Sequence, residues 1–185
     1  MDNEDKILVE EYLNGDNSAF EKLVKKYLKP IYNFTYQFIK DRAQADDLTQ
    51  ETFVKAWKNI KKFDKEKSFK TWLFVIAKNS TFDYFKKKKT IPFSSFKIND
   101  ENNKLEEIAE DSALPDEIAE VKDLEKRLKE KIEKIPSKYA IILLLHYKND
   151  FTLKEVAEII GRPYNTVKVY HQRGLMQLKK VLEEE

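Results

Sequence analysis

Wherever apolar residues cluster in this 185-residue chain, they recur three and four apart, and nowhere do they alternate over a useful length. Phe20, Leu23, Val24, Tyr27 and Leu28 form one series. Ile31, Phe34, Phe38 and Ile39 form a second, and Val121, Leu124, Leu128, Ile132 and Ile135 another. Such spacing gathers side chains on one face of a 3.6-residue helix. The chain is therefore predicted to be all-α, with no sheet. Its 3 glycines point the same way, since so few disfavour a glycine-rich loop fold. Ser18 and Glu21 form a capping-box pattern ahead of the first series, and Pro30 predicts the start of a second helix. A third helix is expected over roughly Ala43–Lys61 and a fourth from near Ser68 to the lysine run Lys86–Lys89.

The periodicity lapses over residues 91–117, IPFSSFKINDENNKLEEIAEDSALPDE, where two prolines and many acids predict an extended, flexible linker. Charge marks the same boundary. Residues 1–90 hold 19 Lys/Arg against 14 Asp/Glu, residues 91–118 hold 2 against 8, and residues 119–185 hold 14 against 11. Two mildly basic helical domains, 1–90 and 119–185, are expected to flank the acidic linker 91–118. Basic blocks suit nucleic acid, but a solvated surface carries the same charges, and composition leaves both open. Cysteine is absent, which excludes disulfides and Cys-based metal sites and fits a reducing cytoplasm. MDNEDKILVEEY is no signal peptide. No apolar run approaches the roughly 18 residues of a membrane span. A cytoplasmic protein is expected.

From Ile159 to Leu182 there is no Asp or Glu, although 37% of the chain is charged. Thr152 and Glu155 form a second capping-box pattern, Val156, Ala157 and Ile160 supply a buried face, and Gly161 stops the helix. Pro163 separates it from the next helix, for which Asn165 is a plausible cap. A helix-turn-helix is thereby predicted. At 100° per residue, Val167, Tyr170, Gly174, Leu178 and Val181 gather on one side of the second helix. Asn165, Lys168, Val169, Gln172, Arg173, Met176 and Lys179 gather on the other. A carboxylate on that outer face would repel phosphates, whereas each Lys or Arg releases counterions. Lys168, Gln172 and Arg173 also suit base edges in a major groove. Upstream, the nearly all-apolar KYAIILLLHYK is expected to be a buried core helix capped by Ser137.

Two N-terminal segments carry further chemistry. In DDLTQETFVKAW (Asp46–Trp57), Asp47, Gln50 and Glu51 fall within a 100° arc, with Phe53 and Trp57 at its edge and Leu48, Thr52 and Ala56 on a packing stripe. An acidic strip beside aromatics suits a basic partner helix, and equally a solvated face beside a core. Asp46, Asp47 and Glu51 have no nearby His or Cys, so no metal or catalytic role is expected of them. In KSFKTWLFVIAKNSTFDYFKKKK (Lys67–Lys89), rings interleave with lysines, a pattern that can stack on unpaired bases. Trp72, Val75 and Ile76 are expected in the core. Asn79 and Asp83 share a face, and Asn79 offers both a donor and an acceptor.

These three stretches resemble, in the same order, segments of bacterial RNA polymerase sigma factors, particularly the extracytoplasmic-function (ECF) group. FTLKEVAEIIGRPYNTVKVYHQRGLMQLKK resembles the C-terminal DNA-binding domain, matching its pattern at Gly161, Pro163, Thr166 and Val167. It departs at Asn165, Tyr170 and Gly174, where the family often has Gly, Arg and Ala. The resemblance implies −35 element contacts by His146, Asn165, Thr166, Lys168, Val169, Gln172, Arg173 and Lys179. DDLTQETFVKAW resembles the segment that binds the clamp helices of the polymerase's largest subunit, which implies docking roles for Asp46, Asp47, Gln50, Glu51, Phe53 and Trp57. The Lys67–Lys89 segment resembles the portion that recognises and melts the −10 element. By that likeness Lys61–Phe69 holds a flipped base, and the implied contacts are Phe63, Ser68, Phe69, Lys70, Lys78, Asn79 and Asp83.

The resemblance implies a sigma factor that binds core RNA polymerase, reads duplex DNA at −35, and melts and captures the −10 strand. Catalysis would belong to the polymerase, with no enzyme activity, cofactor or metal in this chain. An anti-sigma factor is an implied partner. The linker's negative charge resembles RNA and suits the RNA path inside polymerase. Two readings from other classes remain: a helix-turn-helix regulator acting without polymerase, and a helical protein–protein adaptor. The regulator explains Thr152–Lys180 but leaves Asp46–Trp57 and Lys67–Lys89 unexplained, and the adaptor would use both domains for proteins only.

Overall fold

The structure, a computed structural model, describes residues 3–87, 131–132 and 134–183. The expected linker 91–118 and the series from Val121 to Leu128 lie outside the described residues. Among the described residues seven α-helices hold most of the chain, and no strand occurs. They are α1 (Asn3–Leu13), α2 (Asn17–Ile39), α3 (Arg42–Asn59), α4 (Phe69–Lys87), α5 (Ser137–Leu143), α6 (Leu153–Ile160) and α7 (Tyr164–Glu183). The chain divides into two compact units, Met1–Phe93 with Lys154–Arg162, and Ser94–Leu153 with Pro163–Glu185. This division differs from the expected 119–185 block in grouping α6 with α1–α4.

In the first unit α2 is the spine. It begins two residues earlier than a Ser18 cap predicts: Asp16 is the cap, its carboxylate accepting from the Ser18 N–H at 2.9 Å. The Ser18 hydroxyl, and then this N–H, hold the Asp16 carboxyl below its ordinary pKa. Pro30 does not start a new helix either, because α2 runs through it. An interior proline costs about 3 kcal/mol. Leu23, Tyr27, Ile31 and Phe34 are buried on both sides of it, each contributing about 1.5–3 kcal/mol, so burial outweighs the break. Lys40 then ends the helix in the left-handed region, its N–H bonding Tyr36 O. Helix α1 is tied to α2 by Asp5, a buried carboxylate that accepts from the Tyr27 hydroxyl and, at 2.8 Å, from Lys26 Nζ.

Asp41 caps α3 through the Gln44 N–H at 3.1 Å. Small residues line its inner face. Ala45, Thr49, Thr52 and Ala56 are all buried, and the Thr49 and Thr52 hydroxyls bond carbonyls one turn back at 2.7 Å, so no polar atom is stranded against α2 and α4. A 3₁₀ turn, Ile60–Lys62, follows. Helix α4 buries Leu73, Phe74 and Ala77, whereas Trp72, Val75 and Ile76, expected in the core, are only half-buried. The helix is apolar around much of its circumference, so periodicity alone does not single out its inner face.

In the second unit Pro136 stands at the cap position, and α5 starts at Ser137. It continues as a π-helical turn, Leu144–Lys148, and the chain reverses at Asp150, φ 56°. Ile135, Tyr139 and Leu143 form a buried cluster against which Tyr170 and Leu178 of α7 pack. Gly174 makes that approach possible. A Cβ there would lie 3.2 Å from both Leu143 Cγ and Tyr139 Cβ.

Candidate functional surfaces

Helix α3 holds Asp46, Asp47, Gln50 and Glu51 exposed, opposite its buried small-residue face. Trp57 stands out at 53% exposure, with Val54 also exposed beside the strip. Phe53 does not belong to this surface. At 8% exposure it is a core residue, because its position on the wheel borders the buried stripe and a phenyl ring gains more by turning inward. The acidic strip extends into a hollow of about 280 Å³ lined by Leu28, Lys29, Tyr32, Asp46 and Thr49. Burial, and then the Asp46 carboxylate, raises the Tyr32 hydroxyl pKa at the rim. Leu28, Lys29 and Tyr32 were not legible as site residues, because only the packing of α2 on α3 brings them beside Asp46.

The segment between α3 and α4 is braced from inside. Phe63 and Phe69 are both buried, with ring centroids 5.7 Å apart, and Trp72 lies 5.1 Å from Phe63 and 5.6 Å from Phe69. The two phenylalanines therefore hold the loop from inside rather than face solvent as direct −10 contacts would. Sequence could not separate them from Trp72, since all three are apolar rings within ten positions. Ser68 is half-buried, its hydroxyl accepting from the Thr71 N–H at 3.2 Å as an N-terminal cap, and Lys70 is half-buried next to it. Along α4, Asn79 and Asp83 are exposed on one face. Lys78 Nζ donates to Asn79 Oδ1 at 2.9 Å and lies 5.5 Å from the Phe82 ring centroid. Burial, then the nearby Lys86 charge, lowers its pKa, opposed by Asp83. With its carbonyl oxygen held by Lys78, the Asn79 amide can present N–H donors outward.

Helix α6 ends in a Schellman motif. The Gly161 N–H bonds Glu158 O and the Arg162 N–H bonds Ala157 O at 3.1 Å, with Gly161 at φ 71°. Helix α7 then begins at Tyr164, and the Pro163 carbonyl accepts from the Val167 N–H. Asn165 thus sits in the first turn, not at the cap, and is exposed. The wheel is otherwise realised as expected. Asn165, Lys168, Val169, Gln172, Arg173, Met176 and Lys179 are all exposed, Thr166 is half-buried, and Val167 and Gly174 are buried. Tyr170 faces inward, its ring 5.5 Å from Tyr139. Lys179 is 3.6 Å from Glu183, the first acid after the acid-free run. His146 is half-buried behind this helix: its Nδ1–H donates to Phe151 O at 2.6 Å, and its ring lies 5.1 Å from His171. His171 Nε2 is 3.1 Å from the Tyr147 hydroxyl, a pairing that sequence spacing did not announce.

Among the described residues no three His, Cys, Asp or Glu are placed to hold a metal ion, and no described helix is long and apolar enough to cross a membrane.

An acidic exposed strip on one helix and an acid-free exposed face on another occur here within two recognisable family regions. Residues 23–91 match the family model Sigma-70 region 2, and residues 125–178 match Sigma-70, region 4. The ECF RNA polymerase sigma factor SigW of Bacillus subtilis is 32% identical over 95% of this chain and 95% of its own length. The chain belongs to the ECF sigma factor family. SigM of the same organism is 31% identical over 77% of this sigma factor and 82% of its own length. The fold is shared with the sigma factor RpoE solved in complex with the anti-sigma factor NepR from Bartonella quintana. That match has a TM-score of 0.63 at 21% identity, over 89% of this sigma factor and 96% of that chain. As a member of the family, this sigma factor binds core RNA polymerase and directs transcription initiation at promoters.

Proposed function

We propose that the three exposed surfaces divide the work of initiation among them. The strip Asp46, Asp47, Gln50 and Glu51, with Trp57 at its edge, docks on basic side chains of the polymerase core. Charge complementarity there steers association and fixes register. Segment 61–69 and the Asn79–Asp83 face of α4, with Ser68, Lys70 and Lys78, take the −10 strand once it opens. Phe63, Phe69 and Phe53 support these faces from the core. Capturing an extruded base offsets the cost of unpairing it, so melting and recognition become one step. The outer face of α7, with Thr166 at its edge and His146 behind it, takes the −35 duplex. Lys168, Arg173 and Lys179 serve phosphates or guanine edges there, and Asn165 and Gln172 serve adenine edges.

On this reading 1–90 and 119–185 are the working domains and 91–118 joins them, its acids keeping it off DNA. The protein acts in the cytoplasm and performs no bond chemistry itself. An anti-sigma factor covering the docking and DNA faces is its expected regulator, in line with the complex of the related fold. The observation that carries the proposal is the segregation of exposed charge: carboxylates gathered on the outer face of α3, none on that of α7 before Glu183.

Transcription with purified core polymerase and a promoter template tests it. Asp47→Lys is expected to weaken core binding roughly tenfold or more by setting like charges together, with promoter choice unchanged in the complexes that form. Near-wild-type core affinity in that variant rejects the docking assignment. Strong promoter binding without polymerase would instead indicate a free-standing regulator. Mapping start sites in the same reactions yields both promoter elements.

A further inference from the structure

Lys55 of α3 joins two surfaces that the proposed function keeps apart. Its ammonium lies 2.6 Å from Glu51 Oε1, one turn earlier on the docking strip. The same nitrogen donates at 3.0 Å to Ser80 Oγ of α4. Ser80 is 1% exposed and directly follows exposed Asn79 in the strand-binding face. The two partners differ in kind. Ser80 is neutral and buried, so it fixes where the ammonium sits. Glu51 is 45% exposed on its side chain, and it supplies the pair's only negative charge. A partner cation that draws Glu51 away removes the counter-charge but leaves the anchor.

We propose that Lys55 is a strand-binding charge unmasked by docking. In the free chain Glu51 neutralises it. When a basic residue of the polymerase core engages Glu51, the ammonium stays on Ser80, the residue after Asn79, carrying an uncancelled positive charge. It then takes a phosphate oxygen of the opened −10 strand. Separating an exposed i,i+4 pair changes an equilibrium only about twofold, so the switch is easily thrown in either direction. Linkage makes it reciprocal: a phosphate that draws Lys55 frees Glu51 for the polymerase. Docking and strand capture thus reinforce each other through one side chain. The inference rests on the proposed roles of α3 and α4.

The test uses full-length protein, core polymerase and a forked template that exposes a single-stranded −10 segment, titrated across salt. Lys55→Met is expected to bind core at least as well as wild type. Its holoenzyme is expected to hold the fork about threefold to tenfold less tightly. Its log–log salt slope should be shallower by about 0.7, the share of one single-strand phosphate. Lys55→Arg should restore both values. A purely structural tie would lower the melting temperature without moving the salt slope, so an unchanged slope in folded Lys55→Met overturns the proposal. If Lys55→Met loses its helical circular-dichroism signal, Glu51→Gln decides. That variant unmasks Lys55 permanently, so the chain without polymerase should bind a single-stranded oligonucleotide with a slope steeper by about 0.7. An unaltered slope there also overturns it. Should the wild-type holoenzyme fail to bind the fork, the division of work falls and this inference with it. A wild-type holoenzyme that binds while the variants leave the slopes alone removes only the role of Lys55.

Discussion

His171 shows how packing sets the behaviour of one side chain. Burial, then the His146 ring 5.1 Å away, lowers its pKa from the ordinary 6.5. A base with a lowered folded-state pKa binds fewer protons folded than unfolded, so stability rises with pH across the affected range. This contribution is complete above about pH 6.5 and is lost as the pH falls below it. Thermal unfolding of the full chain is therefore expected at lower temperature at pH 5.5 than at pH 7.5. His171→Gln should flatten that dependence, and an equally steep one in the variant would assign it to other groups. The −10 surface has its own single-residue test. Asn79→Asp keeps the size of the side chain but removes both amide donors and adds a charge facing phosphates. Fork binding by the holoenzyme should fall roughly tenfold or more, while core affinity holds.

The crossing of α5 and α7 is decided at Gly174, where the family often has Ala. Replacing an interior helical glycine ordinarily gains about 1 kcal/mol from propensity. Here the new Cβ would sit 3.2 Å from both Tyr139 Cβ and Leu143 Cγ, so these neighbours must give way by a few tenths of an ångström, and a larger side chain asks for more. Gly174→Val is expected to destabilise the protein by about 1–3 kcal/mol, the usual range for overpacking. A melting temperature at or above wild type would show that the crossing yields. The outer face of the same helix makes a separate prediction. Lys168 and Arg173 are exposed there with no acid on that face before Glu183. Changing both to Gln should make the salt slope of duplex promoter binding shallower by about 1.8, at about 0.9 per phosphate.

Over the whole molecule, the two surfaces proposed to face DNA, on α4 and α7, lie in different compact units of one chain. Linked binding multiplies weak affinities when both sites engage together. Holoenzyme is accordingly expected to bind promoter duplex at least 100-fold more tightly than the free chain, read by fluorescence anisotropy. Comparable affinities would mean that polymerase contributes nothing to the geometry. What the sequence by itself determined follows from pattern and charge. Helical period gave the all-α fold, the missing acids from Ile159 to Leu182 marked the outer face of α7, and motif order pointed to the family. These are properties of a residue and its near neighbours along one helix, and a wheel captures them. What only the tertiary structure decided depends on which helix lies across the way. It turned Phe53, Phe63 and Phe69 inward, since any ring near an interface is apolar enough for either side. It carried α2 through Pro30, because burial on both flanks exceeded the cost of one lost hydrogen bond. And it set Lys55 between Glu51 and Ser80, 25 positions further along. The periodicity of α3 alone contains no information about which residue of α4 would stand opposite.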